Sequence, residues 1–343
     1  MRLVKRLVVR ALTLPLVSAS FAPLLRGRAV VFMLHRFRDP SRGIAGQDPA
    51  VLRAGLAWLR QHHFDLVSLE DLLHRLLDGG AVRRAVAFTI DDGYIDQAAV
   101  AAPVFAEYDC PVTTFLASGF LDRTLWFWWD RIEYVFTHTT ATRLRAHLGD
   151  AIVDYALPDA AARRAAQIDF TARCKEVRTE VKESAIPTLA EEAGVILPAT
   201  APAPYAPMSW DDARACERRG MSFGPHTVTH PILSRTGDAH AARELEDSWR
   251  RLKEEVSRPV PVFCYPNGRW EDFSSREVGV LRRLDFLGAV TGAFGYAAAA
   301  PATAGGEWPF RLRRFAYPDT LPDAIQYLSG FERLKEIIRG EAA

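Results

Sequence analysis

The sequence predicts an α/β fold in which parallel strands alternate with helices and close into a barrel. From residue 29 onward, short runs of β-type residues alternate with amphipathic helical patterns, as parallel β-α units require. The chain has 343 residues, of which 49% are hydrophobic and 25% are charged, so it can bury a large core. We therefore expect the barrel to occupy residues 29–343, with a segment at about 122–207 that departs from the alternation.

The strands of the predicted barrel are short apolar or β-branched runs that lie between turn signals. They read AVVFML (29–34), FDLVSL (64–69), AVAFTI (85–90), PVTTFLA (111–117), MSFG (221–224), PVFCY (261–265) and GAVTG (288–292). Helical stretches separate these runs, and there are enough of them to close a barrel.

Capping residues predict where the first helices begin. Asp48 followed by Pro49 is typical of an N-cap with a first-turn proline, for a helix that continues to about His62. Ser68 resembles the first residue of a capping box, and its helix is expected to end near Gly79.

Residues 122–207 break the alternation. They contain the helical patterns LWFWWDRIEYVF (125–136) and AARRAAQIDFTARCKEVRTEVKE (161–183), and no convincing strand. A Pro- and Ala-rich stretch at 197–207 leads back to the barrel. We interpret this segment as a helical insertion and not as a second independent domain.

Residues 1–28 form a separate N-terminal segment. A basic start, MRLVKRLVVR, precedes the apolar run ALTLPLVSASFAPLL. Signal peptides, helices on a membrane surface and leaders that pack on a fold share this pattern. Pro15, Arg26 and Arg28 argue against a membrane-spanning helix. We expect a non-spanning segment with peripheral membrane contact, at a bacterial-type cell envelope or the cytoplasmic face of the membrane.

Charge and cysteine content narrow the possible partners. The chain has 43 basic and 42 acidic side chains and a net charge of +1. We therefore expect no nucleic-acid partner, because phosphate binding needs a basic excess on some face. The four cysteines are widely separated and form no Cys-x-x-Cys pair, which predicts isolated buried thiols.

Polar side chains of the kind that do chemistry follow four of the predicted strands. They are His35, Asp91, Asp92, His226, His230 and Asn267. In parallel barrels the loops after the carboxyl ends of the strands form one face, where sites assemble. We expect these residues to converge there.

Two histidines and one carboxylate are a ligand set that suits catalytic zinc or a similar ion. His226, His230 and one of Asp91 and Asp92 supply that set. Adjacent aspartates point in opposite directions in a continuing strand, but a turn at Gly93 relaxes this constraint. The ion would lower the pKa of a water molecule, and the free carboxylate would take its proton.

Three stretches carry a resemblance to a known family. FTIDDGY (88–94) resembles the T-F-D-D-G signature of the polysaccharide deacetylases, the NodB-homology group called carbohydrate esterase family 4. HTVTHP (226–231) resembles the H-[ST]-x-x-H-P signature with identical spacing, and FCYPNG (263–268) is similar to an F-x-Y-P-x-G element of many members. The resemblance extends from about Val30 to Phe315, apart from the insertion.

The resemblance implies roles for the matching residues. Asp91 would be the general base, and a divalent metal, most often Zn²⁺, would bind Asp92, His226 and His230. The backbone N–H of Tyr265 would help to hold the oxyanion of the tetrahedral intermediate. The family fold is a NodB-type distorted (β/α) barrel of about seven parallel strands. The family reaction removes acetyl groups from N-acetylated sugars, so the implied partner is an N-acetylated carbohydrate.

The chain departs from the family pattern in two places. The arginine of the third motif, R-x-x-P-Y, is missing before Tyr265, and Arg313 or Arg314 is the candidate replacement. The late Leu-x-His motif that supplies the general acid is absent, since no histidine follows His240. An acid is needed because an amine leaves poorly unless its nitrogen is protonated. FMLHRF resembles an early element of the poly-N-acetylglucosamine deacetylase branch, which makes His35 the candidate acid.

Four residues are expected to contact the substrate: Tyr94, Asn267, Arg314 and Trp129. The tryptophans at 126, 128 and 129 either stack on sugar rings or hold the inserted helices against the barrel, and packing is the favoured interpretation. Asp130 and Arg131 are interpreted as no more than an intrahelical or capping pair.

Two further functions stay open at this point. The same fold and metal would also serve an amidohydrolase that acts on a small amide or a cyclic imide, because the third-motif arginine is missing. A catalytically impaired, glycan-binding relative is the non-enzymatic alternative. The presence of Asp91, Asp92, His226 and His230 argues against it, because a binding protein needs none of them.

Overall fold

The computed structural model of the chain describes residues 21–299 and 306–339. Its strands are β1 (Arg28–Leu34), β2 (Asp65–Leu66), β3 (Ala85–Asp92), β4 (Val112–Leu116), β5 (Arg143–Leu148), β6 (Ala151–Ala156), β7 (Met221–Pro225), β8 (Val262–Cys264), β9 (Gly288–Phe294), β10 (Ala297–Ala298) and β11 (Leu312–Ala316). Seven of them form the main sheet in the order β7-β4-β3-β1-β11-β9-β8. Neighbours in this sheet are parallel. The predicted distorted barrel of about seven parallel strands is confirmed.

The two edge strands, β7 and β8, lie close enough almost to close the barrel. The backbone N–H of Val260 donates a hydrogen bond to the carbonyl oxygen of Phe223 at 2.7 Å. A Cβ atom at Gly224 would lie 2.7 Å from the carbonyl oxygen of Val262 and 2.7 Å from the ring of Phe115. Only glycine therefore lets the two strands approach at this point.

The helices lie between and around the strands. They are α1 (Pro49–Gln61), α2 (Leu69–Leu77), α3 (Ala102–Glu107), α4 (Ser118–Leu121), α5 (Trp128–His138), α6 (Ala160–Lys175), α7 (Thr179–Glu192), α8 (Trp210–Glu217), α9 (Asp238–Glu255), α10 (Ser275–Arg283), α11 (Leu321–Leu328) and α12 (Phe331–Arg339). Both predicted N-caps are present, since Asp48 accepts from the backbone N–H of Ala50 and Ser68 from that of Asp71. Only this half of the capping box predicted at Ser68 is formed.

Alternate residues of the strands divide the barrel core into two layers. On β1, Val30 and Phe32 pack in the large cluster that includes residues of α1, α3 and α9. Their neighbours Ala29 and Val31 belong to a second cluster, which also holds Val262 and side chains of α2. The period-2 alternation of a strand thus places the two sets on opposite faces of the sheet, one facing α1, α3 and α9 and the other facing β8 and α2.

The insertion has its own apolar cluster, built from α5, α6, α7 and a β-hairpin. The prediction that it contains no strand is wrong for residues 143–156, where β5 and β6 pair antiparallel. Leu144, Ala146 and Leu148 point inward in this hairpin, but the alternating apolar pattern is too short and too charged to predict a strand. The predicted helix at 161–183 is two helices, α6 and α7.

Most of the predicted N-terminal segment, residues 1–20, lies outside the described residues. No helix in the described part of the chain is long and apolar enough to cross a bilayer. All four cysteines are buried and unpaired, as the sequence predicts.

Candidate metal centre and active-site cavity

The register of the strands brings the predicted polar residues to one end of the barrel. Leu34 pairs with Ile90, and Leu116 pairs with both Asp92 and Pro225. The chain segments that follow β1, β3 and β7 therefore begin side by side, and a cavity of about 710 Å³ opens there.

Nine of the ten predicted site residues line this cavity. They are His35, Asp91, Asp92, Tyr94, Trp129, His226, His230, Tyr265 and Asn267. Arg314, predicted as a substrate contact, does not line it. All six residues that were expected to converge from the strand ends, His35, Asp91, Asp92, His226, His230 and Asn267, are among these nine.

Three side chains form the candidate metal centre. The Nε2 atoms of His226 and His230 lie 3.6 and 3.5 Å from Oδ1 of Asp92. These distances are too long for hydrogen bonds but suit ligands of one ion, because tetrahedral bonds of about 2.1 Å place ligand atoms roughly 3.4 Å apart. All three side chains are buried. The donor set therefore fits a divalent ion such as zinc.

The orientation of His226 also fits a metal ligand. Its Nδ1 lies 2.7 Å from the carbonyl oxygen of Cys264, which can only accept, so Nδ1 carries the proton and Nε2 keeps a free lone pair. Burial alone would lower the pKa of His226, but Cys264 and Asp92 outweigh it and raise that pKa well above its usual range. These surroundings favour a cation at Nε2, whether a proton or a metal ion.

His230 is held as a neutral imidazole. Burial, together with the nearby His226, lowers the pKa of His230 to about 3. Its Nδ1 is buried without a hydrogen-bond partner among the residues that the structure describes. A neutral ring with Nε2 directed at Asp92 is the form in which histidine binds metal.

An unusual backbone at Asp92 lets both adjacent aspartates face the cavity. Asp92 has φ of 89°, a conformation that residues other than glycine rarely adopt. This conformation relaxes the strand alternation that would otherwise turn Asp91 and Asp92 to opposite faces. The sequence predicts this effect for a turn at Gly93, and the structure places it one residue earlier. Strain of this kind is typical of functional sites.

The loop that carries both histidines is fixed by Glu244 of α9, which sequence reasoning missed. The buried carboxylate of Glu244 accepts from the backbone N–H groups of Val228 and Thr229 at 2.8 and 2.9 Å and from the hydroxyl of Thr229. His230 also has φ of 56°, and its N–H donates to Oγ1 of Thr227 at 3.0 Å. Nothing in the local sequence links Glu244 to a loop fifteen residues earlier.

Arg314 holds the second carboxylate, Asp91. It donates to both carboxylate oxygens, at 2.7 and 2.8 Å, and is itself buried. The predicted substrate contact of Arg314 is thus replaced by a contact with Asp91, consistent with its nomination for the missing arginine. Burial alone would raise the pKa of Asp91, but the charge and hydrogen bonds of Arg314 hold it well below its usual range.

A second group of potential ligand atoms overlaps the first. Asp91, His226 and Cys264 also place one ligand atom each within 4.8 Å of the others. Both oxygens of Asp91 already accept hydrogen bonds from Arg314, whose positive charge opposes a cation there. The set with Asp92 is therefore the better metal site.

The predicted oxyanion donor needs correction. The backbone N–H of Tyr265 donates to the carbonyl oxygen of Val290 at 3.2 Å, as part of the sheet, so it does not face a substrate. Pro266 has no N–H, and the next one belongs to Asn267, a cavity residue with φ of 60°. Tyr265 instead contributes its ring, which stacks on Phe273 at 3.9 Å between centroids.

His35, the candidate acid, lies beside the candidate base. Its Nε2 is 3.7 Å from Oδ2 of Asp91, and 45% of its side chain is exposed. It is the most exposed of the titratable groups that the sequence assigns to catalysis, so it can exchange protons with solvent.

The tryptophans and Asp130 differ in their burial and in their contacts with the cavity. Trp126 and Trp128 are buried, as expected for packing residues, and Trp128 also contributes to the cavity wall. Trp129 lines the cavity and donates from Nε1 to the hydroxyl of Tyr94 at 3.1 Å. The interpretation of Asp130 as an intrahelical or capping partner of Arg131 is wrong, because its carboxyl is buried and accepts from the Tyr94 hydroxyl at 2.7 Å.

The chain matches the family model for polysaccharide deacetylase over residues 176–283. This stretch contains HTVTHP and FCYPNG, and FTIDDGY precedes it. The match confirms the family resemblance predicted from the sequence and, with it, the enzyme class, a polysaccharide deacetylase-type hydrolase that acts on amide bonds. No curated protein sequence matches the chain.

Several solved structures share the fold, and two of the three described here carry a deacetylase name. The Streptococcus pyogenes deacetylase PplD, in complex with acetate, has a TM-score of 0.56 and 17% identity, covering 88% of this chain and 98% of that one. IcaB from Ammonifex degensii has a TM-score of 0.54 and 16% identity, covering 88% and 97%. A de-N-acetylase from Aggregatibacter actinomycetemcomitans has a TM-score of 0.51 and 12% identity, covering 85% and 95%. At such identities the likeness establishes the fold alone.

Proposed function

We propose that this chain is a metal-dependent hydrolase that removes N-acetyl groups from an N-acetylated glycan or a glycan-linked substrate. The observation that carries the proposal is a cluster of two histidines and one carboxylate beside a second carboxylate, all four of which line one cavity. A buried arginine behind the cavity wall holds the second carboxylate. The family match supports the same reaction class. Zinc is the proposed ion, because it accepts mixed nitrogen and oxygen ligands and leaves a position open.

Asp91 is the proposed general base. A bound ion would lower the pKa of a water molecule and polarise the acetyl carbonyl. Asp91 would accept a proton from the attacking water molecule while the water oxygen bonds to the carbonyl carbon. The hydrogen bonds from Arg314 orient Asp91 but leave each carboxylate oxygen a second lone pair for this proton. The charge and hydrogen bonds of Arg314, which lower the pKa of Asp91, keep it ionised, the form that can accept a proton.

The remaining steps need an oxyanion donor and an acid. The backbone N–H of Asn267 is proposed to stabilise the negative charge that develops on the acetyl oxygen. His35 is proposed to give a proton to the nitrogen as the carbon–nitrogen bond breaks, so that acetate and a free amine leave. His35 is then reprotonated from solvent, since it is half exposed.

The test is acetate release from a panel of N-acetylated glycans by the zinc-loaded protein. We expect the wild type to release acetate, a chelator to stop the reaction and added zinc to restore it. Asp91→Asn should lower kcat by roughly 10²–10⁴-fold, the range for loss of a general base. Two results would contradict the proposal. Opening of a cyclic imide without acetate release would indicate an amidohydrolase, and glycan binding without turnover would indicate a binding protein.

A further inference from the structure

The insertion supplies part of the wall of the catalytic cavity. Trp129, Asp130 and Glu133 of α5 line it, together with Gln167 and Lys175 of α6. Among these, Asp130 is 3% exposed, so it is a buried carboxyl that nevertheless reaches the cavity surface. The deacetylation chemistry above does not use it.

The hydrogen bonds around Asp130 have a fixed direction. The indole N–H of Trp129 can only donate, and it donates to the Tyr94 hydroxyl at 3.1 Å. The single hydroxyl hydrogen of Tyr94 is then free for Oδ2 of Asp130, at 2.7 Å. Within the described residues no other acceptor is recorded for that hydroxyl. Oδ2 of Asp130 is therefore an acceptor.

The other carboxyl oxygen, Oδ1, has no hydrogen-bond partner in the described ranges. Burial raises the pKa of Asp130 well above its usual range, and the charges of Asp92 and Glu133 act in the same direction. The Tyr94 hydrogen bond and the charge of Arg36 oppose them without cancelling them. Arg36 is itself paired with Asp96 at 3.0 Å. Because Oδ2 accepts from Tyr94, the proton of the neutral acid lies on Oδ1.

We propose that Asp130 is a substrate-recognition residue, supplied by the insertion, which donates a hydrogen bond from Oδ1 to a hydroxyl or ring oxygen of the sugar in the cavity. Tyr94 and Trp129 hold the carboxyl in the required orientation, and Trp129 forms the adjoining wall. This inference rests on the proposed function, and it makes the insertion a determinant of glycan binding.

Two substitutions of Asp130 separate a donor from an acceptor. In Asp130→Asn the amide oxygen can accept from Tyr94 while the amide nitrogen donates to the cavity, as the neutral acid does. Asp130→Leu keeps the volume and loses both functions. Asp154→Asn is the control, because Asp154 is an exposed carboxylate on β6 of the same insertion.

The probes are pentamers of β-1,6-linked and β-1,4-linked N-acetylglucosamine, with acetate release as the assay. We expect Asp130→Leu to raise KM about tenfold, the effect of one hydrogen bond, with kcat nearly unchanged, and Asp130→Asn to keep the wild-type KM. Where rising pH ionises Asp130, the wild-type KM should rise because the donor is lost, while that of Asp130→Asn stays constant. Calorimetric titration of the pentamers into Asp91→Asn, with and without Asp130→Leu, should show the same tenfold difference.

The outcomes distinguish this inference from the proposed function. No acetate release by the wild type from any N-acetylated glycan would overturn both. Acetate release with an unchanged KM in Asp130→Leu would overturn the inference alone. A raised KM in Asp130→Asn would show that Asp130 accepts and does not donate. Tyr94→Phe provides a second variant if Asp130→Leu does not fold, and an unchanged KM in Tyr94→Phe would also contradict the inference.

Discussion

Arg314, on the last strand of the barrel, supplies a positive charge beside Asp91. The R-x-x-P-Y motif would place an arginine before Tyr265, where this chain has none. Arg314 lies 223 positions after Asp91 in the chain and contacts both of its carboxylate oxygens. A buried pair of this kind costs several kcal/mol in desolvation, and loss of one partner typically destabilises by about 3–5 kcal/mol. The Arg314–Asp91 pair is therefore better explained by the orientation of Asp91, the proposed base, than by a contribution to stability.

At the residue scale, His35→Ala tests the proposed acid. We expect it to lower kcat for acetate release from an N-acetylated glycan by roughly 10²–10⁴-fold. The same variant should retain activity on p-nitrophenyl acetate, because a phenolate leaves without being protonated. The measurement is the ratio of the two kcat values, compared with wild type.

The matched control is His74→Ala, since His74 is an exposed histidine of α2 away from the cavity. If His35→Ala slows the ester and the amide equally, the acid role is wrong and His35 acts at a step common to both substrates. Full turnover of the glycan by His35→Ala would also exclude it.

At the element scale, the loop HTVTHP depends on α9. Glu244 holds two backbone N–H groups and one hydroxyl of this loop, so it fixes the positions of His226 and His230 without touching an ion itself. We expect Glu244→Ala to weaken zinc binding by about 10–100-fold, as is usual when residues that orient ligands are lost. Competition with a chromophoric chelator measures this change.

Glu246→Ala is the control for Glu244→Ala, because Glu246 is an exposed acid on the same helix. Zinc affinity equal to that of the wild type in Glu244→Ala would mean that the loop keeps its shape unaided. In that case the two positive φ angles at Thr227 and His230 would be intrinsic to the loop.

The sequence predicts which residues follow the ends of the strands. It does not predict which side chains of other elements contact them. His226 and His230 follow an apolar strand directly, so period and turn signals locate them. Glu244 lies in an ordinary amphipathic helix, and only the packing of α9 against β7 gives it a role. The motif predicts an oxyanion role for the N–H of Tyr265, but this N–H donates to Val290 within the sheet, and the role is proposed for Asn267 instead. Local pattern cannot tell which N–H a neighbouring strand will use.

At the scale of the whole molecule, closure of the barrel depends on Gly224. A methyl group there would clash with the backbone oxygen of Val262, which cannot move without shifting β8. We expect Gly224→Ala to lower the free energy of unfolding by about 1–3 kcal/mol. Urea denaturation measures this difference, and zinc affinity should fall with it, since His226 follows two residues later.

Gly279→Ala is the matched control for Gly224→Ala. Gly279 lies in α10, where an added Cβ meets only the end of Arg283, at 3.8 Å. Alanine in a helix is favoured over glycine by about 1 kcal/mol, so this variant should be more stable. Equal stability of Gly224→Ala and wild type would show that the two edge strands can separate without cost.

The overall architecture was the most predictable property, because alternation of strands and helices repeats along most of the chain. The insertion was the least predictable. Its boundaries follow from the break in that alternation, but its hairpin and the position of Asp130 depend on how α5 packs against Tyr94. In a sequence, an acidic residue before an arginine is most simply interpreted as a helix cap or an ion pair. Only the burial of Asp130 in the structure indicates a different role.

The position of β11 also has a consequence for biosynthesis. The proposed metal ligands all precede residue 231, whereas Arg314 emerges from the ribosome much later. β11 must then enter the sheet between β1 and β9, which are already made. Asp91 therefore has no arginine partner until β11 has joined the sheet. The barrel, and with it the orientation of the proposed base, is complete only after nearly all of the chain has been synthesised.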